Sequence, residues 1–236
     1  MTRTLELEIN FLKKKILSVC TIVEENVRDA VKALVKRDTD LAAKVIDADE
    51  EIDALEVEIE EECLKTLALH QPVARDLRFI IAVFNINNDL ERIGDLAVNI
   101  AERAMSLASC ANIDIPFDYT SMAEKVLLMV KKSLDALVQM NPELGREVCE
   151  EDDEVDVMNR EAYSKVQERI RLYPERVDCL IQLPAISSEL ERIADHATNI
   201  AEEVIYLAKG EIVRHKIEKP QLRVVKSGTG NNFETK

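Results

Sequence analysis

The chain is expected to be all-α: two pseudo-symmetric three-helix bundles, with six long antiparallel helices in total. Three observations predict this. The first is composition. With 5 Gly, 6 Pro, no Trp and 4% aromatic residues, the 236-residue chain is poor in turn formers and in the residues sheets favour, while 33% of it is charged. The second is apolar residues recurring at helical spacing almost without interruption from 6 to 209. The third is an internal repeat. Leu90-Glu-Arg-Ile-Gly-Asp-Leu-Ala-Val-Asn-Ile-Ala-Glu102 is answered by Leu190-Glu-Arg-Ile-Ala-Asp-His-Ala-Thr-Asn-Ile-Ala-Glu202, and over 90–108 against 190–208 twelve of nineteen positions are identical. Upstream, 27–53 aligns with 130–156 at an offset of 103, which lays Asp49-Glu-Glu-Ile-Asp53 on Asp152-Asp-Glu-Val-Asp156. A unit of about a hundred residues is too long for a solenoid module and reads as a duplicated small domain.

Each helix has its punctuation. Asp38-Thr-Asp40 closes the first helix and caps the second. His70-Gln-Pro72 closes the second, because proline cannot sit in a helix interior, and starts a third that runs to about residue 108. In the second copy one helix spans about 120–140 and Asn141-Pro142-Glu143 opens the next. Tyr173-Pro174 opens the last, which reaches about 209. Most of these helices, at some 25–35 residues, are ~40–50 Å long. The resulting division is a first repeat over 1–110, a linker over 111–118, a second repeat over 119–215 and a flexible tail over 216–236, whose Lys226-Ser-Gly-Thr-Gly-Asn-Asn is composed like a disordered segment.

The formal charge, 31 − 46 = −15, repels phosphate backbones and argues against nucleic acid as a partner; cations and basic protein surfaces suit it better. Five scattered cysteines without a C-x-x-C read as reduced structural thiols in a cytoplasmic protein. No apolar run approaches the ~20 residues of a membrane span, and the N-terminus does not read as a signal peptide, so direct membrane insertion is not expected.

Apolar identity between the copies could be shared core packing, but identity in acidic residues points to a site. Residues i and i+4 lie on one helix face ~5–6 Å apart. Asp49/Asp53, Glu91/Asp95, Asp152/Asp156 and Glu191/Asp195 are like-charge pairs of that kind. On the second helix Asp49, Asp53 and Glu60 flank the apolar stripe, with Ile46, Val57 and Leu64 beyond them, so their charges are expected to be hemmed in on both sides. Four oxygen donors from adjacent helices make a hard anionic set that suits Mg²⁺, Ca²⁺, Mn²⁺ or iron rather than structural zinc. The competing reading is a solvated acidic surface. Arg92 and Arg192 beside each glutamate suit either a local salt bridge or a held anion. His196 is expected on the helix surface, since its counterpart is Leu96, and Gly94 opposite Ala194 marks a close-packed small position. No nucleophile elbow, Gly-rich phosphate loop or Ser/His/Asp set is present, so the chain is not expected to be an enzyme.

With its duplicated acidic motifs, its Leu-Glu-Arg-Ile-x-Asp-x-Ala-x-Asn-Ile-Ala-Glu blocks and Gln71-Pro-Val-Ala-Arg-Asp-Leu-Arg78, the chain resembles the PhoU family over about 5–215. The resemblance implies two PhoU-like three-helix bundles, usually in a homodimer. It implies metal ions (iron, manganese or magnesium, or multinuclear iron clusters) on Asp49, Asp53, Glu91 and Asp95 in one half and on Asp152, Asp156, Glu191 and Asp195 in the other. It further implies a negative regulator of the phosphate-starvation response in bacteria, coupling the ATPase subunit of the phosphate ABC transporter to a membrane sensor histidine kinase. Two departures set the halves apart: Tyr173-Pro-Glu-Arg-Val-Asp-Cys-Leu180 replaces the Gln-Pro-Val-Ala-Arg-Asp-Leu-Arg element, and Glu56 is answered by Asn159. Two other classes of function compete: a metal-buffering or iron-storage bundle without phosphate signalling, and a metal-free adaptor for basic partners.

Overall fold

A computed structural model describes residues 3–110 and 114–209. The expected tail over 216–236, the last residues of the second repeat and part of the linker lie outside the described residues. Helices α1 (Arg3–Lys36), α2 (Thr39–His70) and α3 (Ala74–Ala108) form the first unit. Helices α4 (Tyr119–Gln139), α5 (Pro142–Leu172), α6 (Val177–Leu180) and α7 (Leu183–Lys209) form the second, with a 3-10 turn over Pro174–Arg176.

The sequence punctuation acts as its chemistry requires. The Asp38 carboxylate accepts from the Leu41 N–H at 2.9 Å, and Asn141 Oδ1 accepts from Glu143 and Leu144 with Pro142 opening the helix, so donors left over at both starts are satisfied. Arg37 and Met140, equivalent residues of the two copies, end α1 and α4 in the left-handed region at φ 55° and 52°.

The long helix expected from Tyr173-Pro174 onward is broken. Only the 3-10 turn and the four-residue α6 precede a turn at Ile181 and Gln182, after which α7 begins. Pro184 explains the break: it has no N–H for the Leu180 carbonyl, and its ring disfavours helical backbone at Leu183.

Packing sorts the helices into central and flanking. The first helix buries one stripe, Leu5, Ile9, Leu12, Ile16, Val19, Val23, Val27, Ala30 and Leu34, at spacings of three and four. In contrast α3 buries residues over much of its circumference, Ile86, Leu90, Ile93 and Ala97 together with Ala82, Leu96 and Ala101, because α1, α2 and α7 all pack on it. Helix α7 has the same position in the second unit. Few residues of α2 and α5 are buried, which leaves their acidic sides available. A single apolar core runs through both units.

The units meet where α3 crosses α7 in antiparallel sense. Asn85 Nδ2 donates to Glu203 Oε1 at 3.2 Å near one end, and Arg103 Nη2 donates to Glu189 Oε1 at 3.4 Å near the other. Between them His196 Nδ1 lies 2.8 Å from Asp89 Oδ1, which also accepts from Asn199 Nδ2 at 3.4 Å. His196 is therefore half-buried in the seam rather than a bystander on the helix surface. On the opposite side α1 lies along α4, and the buried Tyr119 hydroxyl donates to the Leu183 carbonyl at 2.8 Å, tying the start of α4 to the start of α7.

The cysteine expectation fails for one pair. Cys110, just past α3, and Cys179, in α6, form a disulfide with Cα atoms 6.3 Å apart. The two lie 69 residues apart in sequence and are brought together only because the end of the first unit packs beside the α5–α7 joint of the second. Cys20, Cys63 and Cys149 are free thiols.

Candidate functional site

Helix α2 lies on α3, and their facing acidic motifs crowd together. Asp49 is pushed up to about 6, first by burial and then by the charges of Asp53 on its own helix and Asp95 on the next. Glu91 is raised by burial, then by Asp95, with Glu56 and Asp53 of α2 adding to it and Arg92 opposing. Glu56 is raised by burial, then by Glu60 and Asp53, again with Arg92 opposing. The structure thus brings Asp49, Asp53, Glu91 and Asp95 into one electrostatic neighbourhood and adds Glu56. Sequence reasoning noted Glu56 as a difference between the halves but left it out of the ligand set, although it stands three residues after Asp53 and seven after Asp49, on the same helix face.

Arg92 is the local counter-charge, its Nη1 3.0 Å from Asp95 Oδ2 and its Nε 3.5 Å from Glu91 Oε2. One exposed guanidinium among five carboxylates leaves a net negative site. Glu91 Oε2 is buried and has no hydrogen-bond partner. One expectation needs correcting: Ile46 packs against the core, but Val57 and Leu64 are 52% and 58% exposed, so beyond Asp53 and Glu60 the outer side of α2 is open to solvent. Gly94 makes the close approach of the helices possible. A Cβ there would lie 3.0 Å from Ile52 Cδ1 and 3.3 Å from Asp49 Oδ1, so the glycine seats the Asp49 carboxylate against the α3 backbone.

The second half is built differently from the same motifs. Asp152 is 8% exposed, Asp156 and Glu191 are half-buried and Asp195 is exposed. Asp152 and Glu202 both act on Cys149, whose thiol is pushed up to about 12 chiefly by burial, so the acids of α5 and α7 share a neighbourhood here too. Arg192 pairs with Glu189, its Nη1 3.0 Å from Glu189 Oε2, and Glu189 in turn accepts from Arg103 across the seam. Lys132 of α4 reaches Glu151. Asn159 Oδ1, at the position of Glu56, is buried without a partner. Both arginines are engaged in local ion pairs, but to different partners. The seam acids Asp89 and Glu189 went unnoticed in the sequence, although they stand at the offset of 100 one position ahead of the copied block.

The donors are of the type a hard cation takes: oxygen only, anionic, on adjoining helix faces, with one buried carboxylate oxygen, Glu91 Oε2, accepting no hydrogen bond. As placed, no three His, Cys, Asp or Glu side chains among the described residues converge into a set that could hold an ion. No described helix is long and apolar enough to cross a membrane.

Fold and site together define an all-α protein made of two fused three-helix units, each with an acidic face where its second helix meets its third. Sequence comparison places it more narrowly. The sequence model of the PhoU domain matches residues 16–104 and again 119–204, one match per unit. The chain belongs to the PhoU family. It is 39% identical over 213 residues to the phosphate-specific transport system accessory protein PhoU homolog of Aquifex aeolicus, covering 89% of this chain and 95% of the relative. The Thermotoga maritima homolog 1 is 34% identical over 225 residues, covering 95% of each. Among solved structures, PhoU from Pseudomonas aeruginosa superposes with a TM-score of 0.81 at 35% identity, over 87% of this chain and 99% of that one. The phosphate transport system regulatory protein PhoU from Streptococcus pneumoniae gives 0.79 at 29% identity, over 89% and 99%.

Proposed function

We propose that this chain is an accessory regulator of phosphate-specific transport, acting without catalysis of its own as a negative regulator of the phosphate-starvation response. In this reading it works in the cytoplasm, as a homodimer, and couples the ATPase subunit of the phosphate ABC transporter to a membrane sensor histidine kinase. The observation that carries the reading is the extent of the family match: both units, and all eight motif carboxylates, lie inside the region shared with phosphate-transport accessory proteins.

Metal belongs to the proposal. Asp49, Asp53, Glu91 and Asp95 would hold a cation in the first unit, and Asp152, Asp156, Glu191 and Asp195 in the second, with iron, manganese and magnesium as the ions this chemistry suits. When bound, the ion supplies positive charge that Arg92 alone does not. The chain's own part is to crowd the carboxylates on a rigid helix pair, so that a cation relieves a repulsion already present. The unlike second unit, with Asn159 in place of Glu56 and Arg192 paired with Glu189, supports unequal loading of the two sites.

Two experiments test the proposal. Deleting the gene should relieve repression of a phosphate-starvation reporter in high phosphate, and the wild-type gene should restore it; a deletion strain that still represses would overturn the regulatory reading. Elemental analysis of protein purified without chelator should find metal that falls in an Asp95→Ala, Asp195→Ala double variant. Equal metal in both, or none after loading with iron, manganese and magnesium, would remove the metal assignment.

A further inference from the structure

The Cys110–Cys179 bridge lies apart from the acidic faces; Cys20 and Cys63 are buried and Cys149 is a half-buried free thiol, whereas these two cysteines are joined. Cys20 and Cys63 are 5% and 0% exposed. Burial pushes both thiols well up, and Cys149 with them, so these three are poor nucleophiles as they stand. Cys110 and Cys179 are both partly exposed, at the surface where the two units adjoin.

What the bridge holds matters as much as its exposure. The segment 174–182 is a 3-10 turn, a four-residue helix and a turn, isolated from α7 by the break at Pro184. Of its residues only Leu180 is buried, while Val177 and Ile181 are 37% and 62% exposed. Helix α7, by contrast, is anchored from its first residue by Leu183, Ile186, Leu190 and Ile193. The segment therefore has little core of its own, and the bridge is its covalent tie to the first unit. Beside the bridge, the Arg37 guanidinium donates to the Cys110 carbonyl at 2.8 Å, and Arg169 of α5 pairs with Asp114.

We propose that Cys110 and Cys179 form a thiol–disulfide switch, opened by small-molecule thiols, that controls whether 174–182 is fastened to the first unit. Opening is ordinary exchange. A thiolate of the glutathione class attacks one sulfur, forming a mixed disulfide and releasing the other cysteine as thiolate. A second small thiol resolves the mixed disulfide, so that two small thiols become one small disulfide and the protein gains two cysteine thiols. Closing is the reverse, with the small disulfide as oxidant. Solvent access makes a bridge labile, and in a thiol-buffered compartment this partly exposed bridge exchanges rather than persists. Opening frees a short surface element that carries Val177 and Ile181, next to Leu172 and Tyr173, and leaves the six long helices in place.

The test uses the full chain equilibrated in buffers of stepped reduced-to-oxidised glutathione ratio, then alkylated under native conditions and again after denaturation. The expected result is two cysteines, mapped to 110 and 179, titrating together, while Cys20, Cys63 and Cys149 are alkylated only after denaturation. Hydrogen exchange should then show amides of 174–182 exchanging about tenfold faster in the reduced protein, with 183–209 unchanged. A Cys110→Ser, Cys179→Ser double variant should show the faster exchange at every glutathione ratio. Five free thiols in fully oxidised buffer would overturn the bridge. A bridge that forms but leaves exchange at 174–182 unaltered would overturn the switch.

Discussion

Gly94 and Ile52 form a packing pair whose alternative solution is written in the other half of the same chain. A methyl group added at Gly94 would lie 3.0 Å from Ile52 Cδ1 and 3.4 Å from Ile52 Cγ2, against an optimal carbon–carbon separation of about 3.5–4.0 Å. Ile52 is 1% exposed, so its end cannot swing into solvent. Gly94→Ala should gain about 1 kcal/mol of helix propensity and lose about 1–3 kcal/mol to overpacking, a net destabilisation of about 1 kcal/mol. Ile52→Val alone deletes the offending methyl and should cost about 1 kcal/mol for the void it leaves. The second unit holds Ala194 and Val155 at the equivalent positions, the same volume divided the other way. In the double variant the alanine methyl occupies the space Cδ1 vacates while the propensity gain remains, so its stability should match or slightly exceed wild type. Measured by urea denaturation followed by far-UV circular dichroism, the double-mutant cycle should show a favourable coupling of about 2 kcal/mol. A double variant destabilised by the sum of its two singles, within about 0.5 kcal/mol, would refute the volume exchange.

The acidic site sets a pH dependence with a definite sign. Because the Asp49 carboxyl is raised from 3.8 to about 6, the folded protein holds a proton that the unfolded chain has lost in that window, so stability falls as pH rises through it. For metal-free protein the effect is about 1 kcal/mol once solvent screening of a half-exposed group is allowed for, and Asp49→Asn should flatten the difference between pH 5 and 7.5; an unchanged profile in that variant would count against the crowding. Tyr119→Phe removes the hydroxyl's bond to the Leu183 carbonyl at the start of α7 and should cost about 1 kcal/mol by thermal denaturation, and a loss below about 0.3 kcal/mol would mean the hydrogen bond contributes little. Asp89→Ala strips His196 and Asn199 of a shared acceptor across the seam and should cost about 1 kcal/mol at neutral pH, measured by urea denaturation; no loss would make the seam contacts incidental.

Local chemistry was legible in the sequence wherever it acts within a few residues. Asp38 and Asn141 start helices because a short polar side chain reaches the free N–H groups of the next turn, and Pro72 and Pro142 end or open helices because they lack a donor. The acidic pairs share a helix face because of the helical pitch alone. Pro184 was equally readable but was outweighed by the long apolar periodicity around it.

Tertiary structure decided what depends on neighbours remote in sequence. Burial beside Ile52 and Gly94, and the nearness of Asp95, set Asp49 apart from its partner Asp53, though the two look alike in the motif. Helix α7 lying against α3 turned His196 from a surface residue into a contact for Asp89. Cys110 and Cys179 became one bond because the second unit folds back beside the end of α3. Sequence by itself determined the helices and their ends, the start of the last one excepted, together with the duplication and the acidic faces, because those follow from propensity, capping and a pitch of 3.6 residues per turn. Which carboxylates are crowded, which acid each arginine pairs with and which cysteines meet are set by helix packing, because charge and covalent reach depend on distance in space rather than along the chain.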